Sequence, residues 1–215
     1  VALSADGNTA IVGGNSDISL TGVAWVFTRN GGIWSQQGAK LVGTGASGPA
    51  RQGGSVGLSA DGNTAIVGGS SDNSTAGAAW VFTRSGSLWS QQGAKLFGTG
   101  NVGAARQGAS VALAADGATA IVGGTDDNSF AGAAWVYTRS GGVWSQQGGK
   151  LAGTGAVGSA KQGDSVALSA DGNIAIVGAS GDAGATGAAW FYTRSAGVWR
   201  QRGAKITPVG GVGPQ

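Results

Sequence analysis

Apolar and polar positions along the chain repeat at a fixed spacing of 55 residues, four times in succession. Within each period the pattern divides into four short strands. The first covers residues 1–4, 55–59, 110–114 and 165–169, with Val and Leu on one face and small residues on the other. It runs into an Asp-Gly pair, Asp6 with Gly7 in the first copy, that supplies the positive φ of a tight hairpin. The second strand, residues 9–12, 64–67, 119–122 and 174–177, is a continuous apolar run. Such a run suits a strand covered on both faces, so it is expected at the centre of a sheet.

A polar loop follows over residues 15–21, 70–76, 125–131 and 180–186, and it varies most between copies. Variable polar loops on a repeated scaffold are where recognition is expected. The most regular stretch comes next, residues 22–34, 77–89, 132–144 and 187–199. There Trp25 and Phe27 alternate with Ala24 and Val26, the run closes on Thr28 and Arg29, and a glycine turn leads to a fourth strand starting at Ile33 and Trp34. The fourth strand becomes polar toward Leu41, as expected of a sheet edge, and a glycine-rich connector over residues 43–54 leads to the next copy.

Four strands of declining burial followed by a crossover describe one propeller blade. The reading is an all-β chain, a β-propeller of four 55-residue, four-stranded blades over residues 1–54, 55–109, 110–164 and 165–215, forming a single array over residues 1–215. Identical neighbours repeat the same contact with the same rotation, so the array is expected to close alone or as half of an eight-bladed dimer. The last copy, with Arg200, Arg202 and Pro208, is expected to form a charged, proline-protected edge. The chain starts at Val1 in mid-repeat and reads as a piece of something longer.

Composition narrows the chemistry. The 45 glycines lack a collagen period, and cysteine, histidine and methionine are absent. Disulfides, thiolate or imidazole metal sites and Ser-His or Cys-His catalysis are thereby excluded. No acid, base, nucleophile or metal cluster stands out from the repeat, so no catalytic residue, metal site or cofactor is expected, and the chain is read as not an enzyme. The net charge of +3 is spread evenly over the repeats rather than gathered on one face, which argues against nucleic acid as a partner. No segment reaches the ~18 consecutive apolar residues of a spanning helix.

The stretch from Gly163 to Ala179, with the hairpin that follows, resembles the FG-GAP repeat of integrin-α-like β-propellers, most closely the bacterial type. The resemblance covers essentially the whole chain. It implies propeller blades, a secreted or cell-surface setting, and adhesion or ligand binding rather than catalysis. Two departures limit it. The turn at Asp6, Gly7 and Asn8 holds one carboxylate where a calcium loop needs several, and Gln52 with Gly53 replaces the Phe-Gly opening. Calcium dependence is therefore not carried over.

Two residue sets are candidates for ligand binding. Trp34, Trp89, Trp144 and Trp199 open the fourth strand and are placed either to stack on sugars, one site per blade, or to pack on the preceding strand. Asp17, Asp72, Asp126, Asp127 and Asp182 lie in the variable loop, either binding a cation or hydroxyls at the rim or forming local Asx turns. Trp25, Trp80, Trp135 and Trp190 are expected between blades, and Asp6, Asp61, Asp116 and Asp171 as turn formers. The recurring Arg29 and Lys40 positions form rings of positive charge that either attract anionic glycans or surfaces or, as expected here, are solvated strand ends. Three functions follow: a non-catalytic adhesion or ligand-binding module with a protein or glycan at the loop rim, a self-assembling building block, or a lectin.

Overall fold

A computed structural model of the chain describes residues 1–209. It is all-β, with sixteen strands in four separate four-stranded antiparallel sheets, each in chain order. Sheet one comprises β1 (Ala2–Leu3), β2 (Thr9–Gly14), β3 (Val23–Asn30) and β4 (Ile33–Gln36). Sheet two comprises β5 (Ser55–Leu58), β6 (Thr64–Gly69), β7 (Ala78–Ser85) and β8 (Leu88–Gln91). Sheet three comprises β9 (Gln107–Leu113), β10 (Thr119–Gly124), β11 (Ala133–Ser140) and β12 (Val143–Gln146). Sheet four comprises β13 (Ser165–Leu168), β14 (Ile174–Ala179), β15 (Ala188–Ser195) and β16 (Val198–Gln201).

The turns follow from local chemistry. At the first hairpin of sheet two, Asp61 Oδ1 accepts from Ser59 Oγ at 2.5 Å and from the Asn63 amide at 2.9 Å, while Gly62 takes φ +66°. Between β3 and β4, Gly31 and Gly32 both hold positive φ, as a two-residue turn matched to strand twist requires. The fourth strands are shorter than expected and stop at Gln36, Gln91, Gln146 and Gln201. The chain then returns for a single bridge, Ala24 to Leu41 in the first sheet.

Adjacent sheets pack face to face. β6 and β10 are buried along their whole length, which explains their unbroken apolar runs. Ile11, Ala24 and Val26 of sheet one share a core with Ala65, Val67, Trp80 and Phe82 of sheet two, and equivalent sets recur at the next two junctions. Trp80, Trp135 and Trp190 are fully buried there, as the pattern indicated. Each indole lies against a connector glycine: a Cβ on Gly98 would stand 2.1 Å from Trp135 Cδ1. The Trp135 Nε1 donates to the Thr99 carbonyl at 2.8 Å, so ring and connector fix each other. Burying an indole removes ~200 Å² from water, worth about 5 kcal/mol before ordering entropy, and this makes the tryptophan the main anchor of each junction.

Polar atoms repeat the same logic. The buried Gln107 side chain pairs with Gly98 as a strand would, its Nε2 donating to the carbonyl at 2.9 Å and its Oε1 accepting from the amide at 2.6 Å. Successive first hairpins are joined by amide donation from Ala5 to Ala60, Ala60 to Ala115 and Ala115 to Ala170, at 2.9, 2.9 and 3.0 Å.

Closure of the four sheets on themselves, one of the two expected arrangements, is corrected by the structure: the sheets are not closed. On sheet one Leu3 is 61% exposed and Trp25 half-buried, and on sheet four Ile176 and Phe191 are half-buried, because neither face has a neighbouring sheet over it among the described residues.

Candidate functional site

The variable loops adopt a conformation that sequence periodicity does not encode. In the second repeat Asn73, Ser74 and Thr75 take φ of 48°, 53° and 69°, so Asp72–Thr75 forms one turn of left-handed helix, closed by the Gly77 amide donating to the Asp72 carbonyl at 2.9 Å. The same turn occurs at Asp17–Leu20, Asp127–Phe130 and Asp182–Ala185. Left-handed helix costs L-residues roughly 1–2 kcal/mol each, so these turns need compensation.

Three of the four aspartates that open these turns provide it by clamping a connector. Asp72 Oδ1 accepts from the Ser47 amide at 2.7 Å while the Asn73 amide donates to the Ser47 carbonyl at 2.8 Å, clamping the preceding connector onto the turn. Its Oδ2 is paired with Lys95. Asp127 repeats this with Val102 and Lys150, and Asp182 with Val157 and Lys205. These three carboxylates are at most 1% exposed. Asp17 differs: its Oδ1 turns to the Ile18 amide at 2.9 Å, its Oδ2 meets Lys40 at 2.8 Å, and it remains partly exposed. The lysine partner holds its carboxyl below the usual carboxylate range, the Ile18 amide adding to the effect.

The tryptophans of the fourth strands form a second repeated unit. Gln92 Oε1, from sheet two, accepts from both Trp144 Nε1 and Arg139 Nη1 of sheet three, each at 3.0 Å. Gln37 serves Trp89 and Arg84 in the same way, and Gln147 serves Trp199 and Arg194. Each guanidinium lies 5.5–5.6 Å from its tryptophan ring centroid. The recurring arginines are thus junction residues, not merely solvated strand ends. Trp34 is stacked by Arg29 at 5.6 Å and is 42% exposed.

Beside each of the Trp144 and Trp199 units runs a crevice. One of about 270 Å³ is lined by Lys95, Leu96, Val143 and Trp144, and one of about 240 Å³ by Lys150, Leu151, Val198 and Trp199. The two predicted sets therefore meet indirectly: the lysine that neutralises a buried aspartate shares a crevice with the tryptophan of the following sheet.

A third feature takes in Asp126 together with residues that the sequence pattern does not single out. On the loop side the ends of the second strands converge with the connectors on an open polar cup of about 350 Å³, lined by Asn15, Ser70, Arg106, Thr125, Asp126, Lys161 and Asp164. Arg106 and Lys161 hold φ of 56° and 58°, and Arg106 lies 3.8 Å from Asp126. The signal in the sequence was the Arg51, Arg106 and Lys161 series, each immediately before the Gln-Gly pair. Among the described residues no three Asp, Glu, His or Cys side chains gather, and no helix is long and apolar enough to cross a membrane.

No protein-family model and no curated protein matches the chain, so the finer FG-GAP assignment rests on the sequence resemblance alone. Among solved structures it is similar to TolB from Acinetobacter baumannii, at 12% identity over 96% of this chain and 42% of that one, with a TM-score of 0.50. It is also similar to hydrazine synthase of Kuenenia stuttgartiensis, at 13% identity over 94% of this chain and 48% of that one, with a TM-score of 0.50. Both are β-propellers, and at such identities the likeness concerns the fold alone. The chain spans less than half the length of either protein.

Proposed function

We propose that the chain is a non-catalytic propeller module, secreted or at a cell surface, that holds a protein or glycan ligand at its loop rim. The cup carries this reading. Its lining mixes two cations, two carboxylates, an amide and hydroxyls beside the strand ends, a set of donors and acceptors suited to a hydroxyl-rich or peptide ligand, with the Thr125 hydroxyl donating to Asp126 Oδ1 at 2.8 Å. Asp72, Asp127 and Asp182 themselves serve as clamps that hold the rim in shape. A lectin reading is favoured by a separate observation: an indole, an ammonium and an exposed aliphatic residue border each of the two crevices.

The test is to probe glycan and adhesive-protein arrays with the full chain and two variants, Asp126→Asn with Asp164→Asn in the cup, and Trp144→Ala with Trp199→Ala in the crevices. Binding lost only with the cup variant supports the rim module. Binding lost only with the tryptophan variant transfers the function to the crevices. A chain that binds nothing on either array overturns both in favour of a purely structural role.

A further inference from the structure

The outward face of sheet four departs from the repeat in a way that selects its neighbour. Where the first three repeats agree along the strands and at the residue following the fourth strand, the last copy differs five times: Ile174 for Thr, Ala179 for Gly, Phe191 for Val, Arg200 for Ser and Arg202 for Gln. The strand alternation puts Ile174 with Ile176, and Arg200 with Arg202, on one face. Of the five, only Ala179 lies on the face that packs against sheet three. That inner face keeps Ala175, Val177, Trp190 and Tyr192 in the places of Ala120, Val122, Trp135 and Tyr137.

Two of the changed positions are the acceptors at the junction of sheets three and four. Arg194 Nη1 donates to Gln147 Oε1 at 3.1 Å and to Thr119 Oγ1 at 3.4 Å, and Trp199 Nε1 donates to the same Gln147 oxygen at 2.9 Å. Arg202 stands in the register of Gln147: its amide donates to the Phe191 carbonyl at 2.8 Å as that of Gln147 does to Val136. Were sheet one of a second copy to dock there, Arg29 and Trp34 would meet Ile174 and Arg202. Three donors and two like charges would face each other with no acceptor, a contact that interfaces suppress. Phe191 would also press a larger ring against Trp25 and Phe27, where the interior junctions offer valine.

We propose that this face refuses a second copy of the chain and accepts a partner sheet that presents a carboxylate at the register of Arg29. Arg202 and Ile174 are its specificity-determining residues. The inference is independent of ligand binding at the cup.

Sedimentation equilibrium of the full chain and its variants tests it, with circular dichroism confirming the fold of each. Ile174→Thr with Arg202→Gln restores both acceptors and is expected to tighten self-association by at least roughly tenfold over the natural chain. Arg29→Glu supplies the carboxylate to Arg202 and is expected to do the same, and adding Arg202→Gln to Arg29→Glu is expected to remove most of that gain. Should Arg29→Glu disturb sheet one, Arg202→Glu on the exposed edge offers the same charge pair from the other side. A natural chain that self-associates as tightly as the restored variant, or charge-pairing variants no tighter than the natural chain, overturns the proposal.

Discussion

Replacing Asp127 by alanine tests the claim that Asp72, Asp127 and Asp182 are buried clamps. The substitution removes the acceptor of the Val102 amide at 2.7 Å and the counter-ion of Lys150 at 2.5 Å, at a carboxylate 1% exposed. Removing one partner of a buried ion pair costs about 3–5 kcal/mol. The Lys150 side chain keeps 21% of its exposure, so water recovers part of its solvation and the lower end of that range applies. The orphaned Val102 amide adds about 1 kcal/mol. Together they come to about 4 kcal/mol, which for a domain of this size lowers the melting temperature by roughly 8–16 °C. Asp127→Asn keeps an acceptor for Val102 and is expected to cost about 2 kcal/mol, roughly half as much. Asp17→Ala is the internal control, because that carboxylate bonds its own neighbouring amide and holds no connector, so its shift is expected to be small beside that of Asp127→Ala. Calorimetric melts of the three variants decide the matter. Equal shifts for Asp17→Ala and Asp127→Ala would refute the clamp.

Two further outcomes follow from the structure. The Tyr137 hydroxyl is buried without a hydrogen-bond partner, burial pushes its ionisation far up, and phenylalanine occupies the same place at residues 27 and 82, so Tyr137→Phe is expected to raise stability by about 0.5–1 kcal/mol in denaturant titration. Asp6 and Asp171 are lowered to about 2 by the Ser4 and Ser169 hydroxyls first and by the Asn8 and Asn173 amides after them. Their folded-state values lie below the ordinary 3.8, so the stability they supply is complete above that pH and is lost as pH falls toward about 2. Melts followed from neutral pH to pH ~2 are expected to show this loss only in the acid range, and to a smaller extent in Asp6→Asn with Asp171→Asn.

The architecture was legible because it depends on period. A 55-residue repeat, an Asp-Gly turn, a two-sided apolar strand and a tryptophan in alternation define four sheets without reference to distant contacts. The site was less legible because it depends on what one repeat does to the next. Asp72 reads as a turn residue until its amide partner, Ser47, is seen to come from the preceding connector. Arg84 reads as a solvated strand end until its Nη1 is seen to donate to Gln37 Oε1 of the preceding repeat. The recurrence of lysine 23 residues after each loop aspartate was present in the sequence as the trace of the ion pair. The left-handed turns left no such trace, since serine, threonine, phenylalanine and alanine all occupy positions that usually call for glycine.

The bonds between sheets join residues at constant separations: 25 for carboxylate to connector, 36 for indole to threonine and 47 for arginine to glutamine. Excising or duplicating one whole interior period therefore rejoins partners of the same kind at the same offsets, and only the identity of the donor copy changes. Such a chain gains or sheds a unit through unequal recombination between its own gene segments without inventing a new contact, so blade number is free to drift while the chemistry of every seam stays fixed.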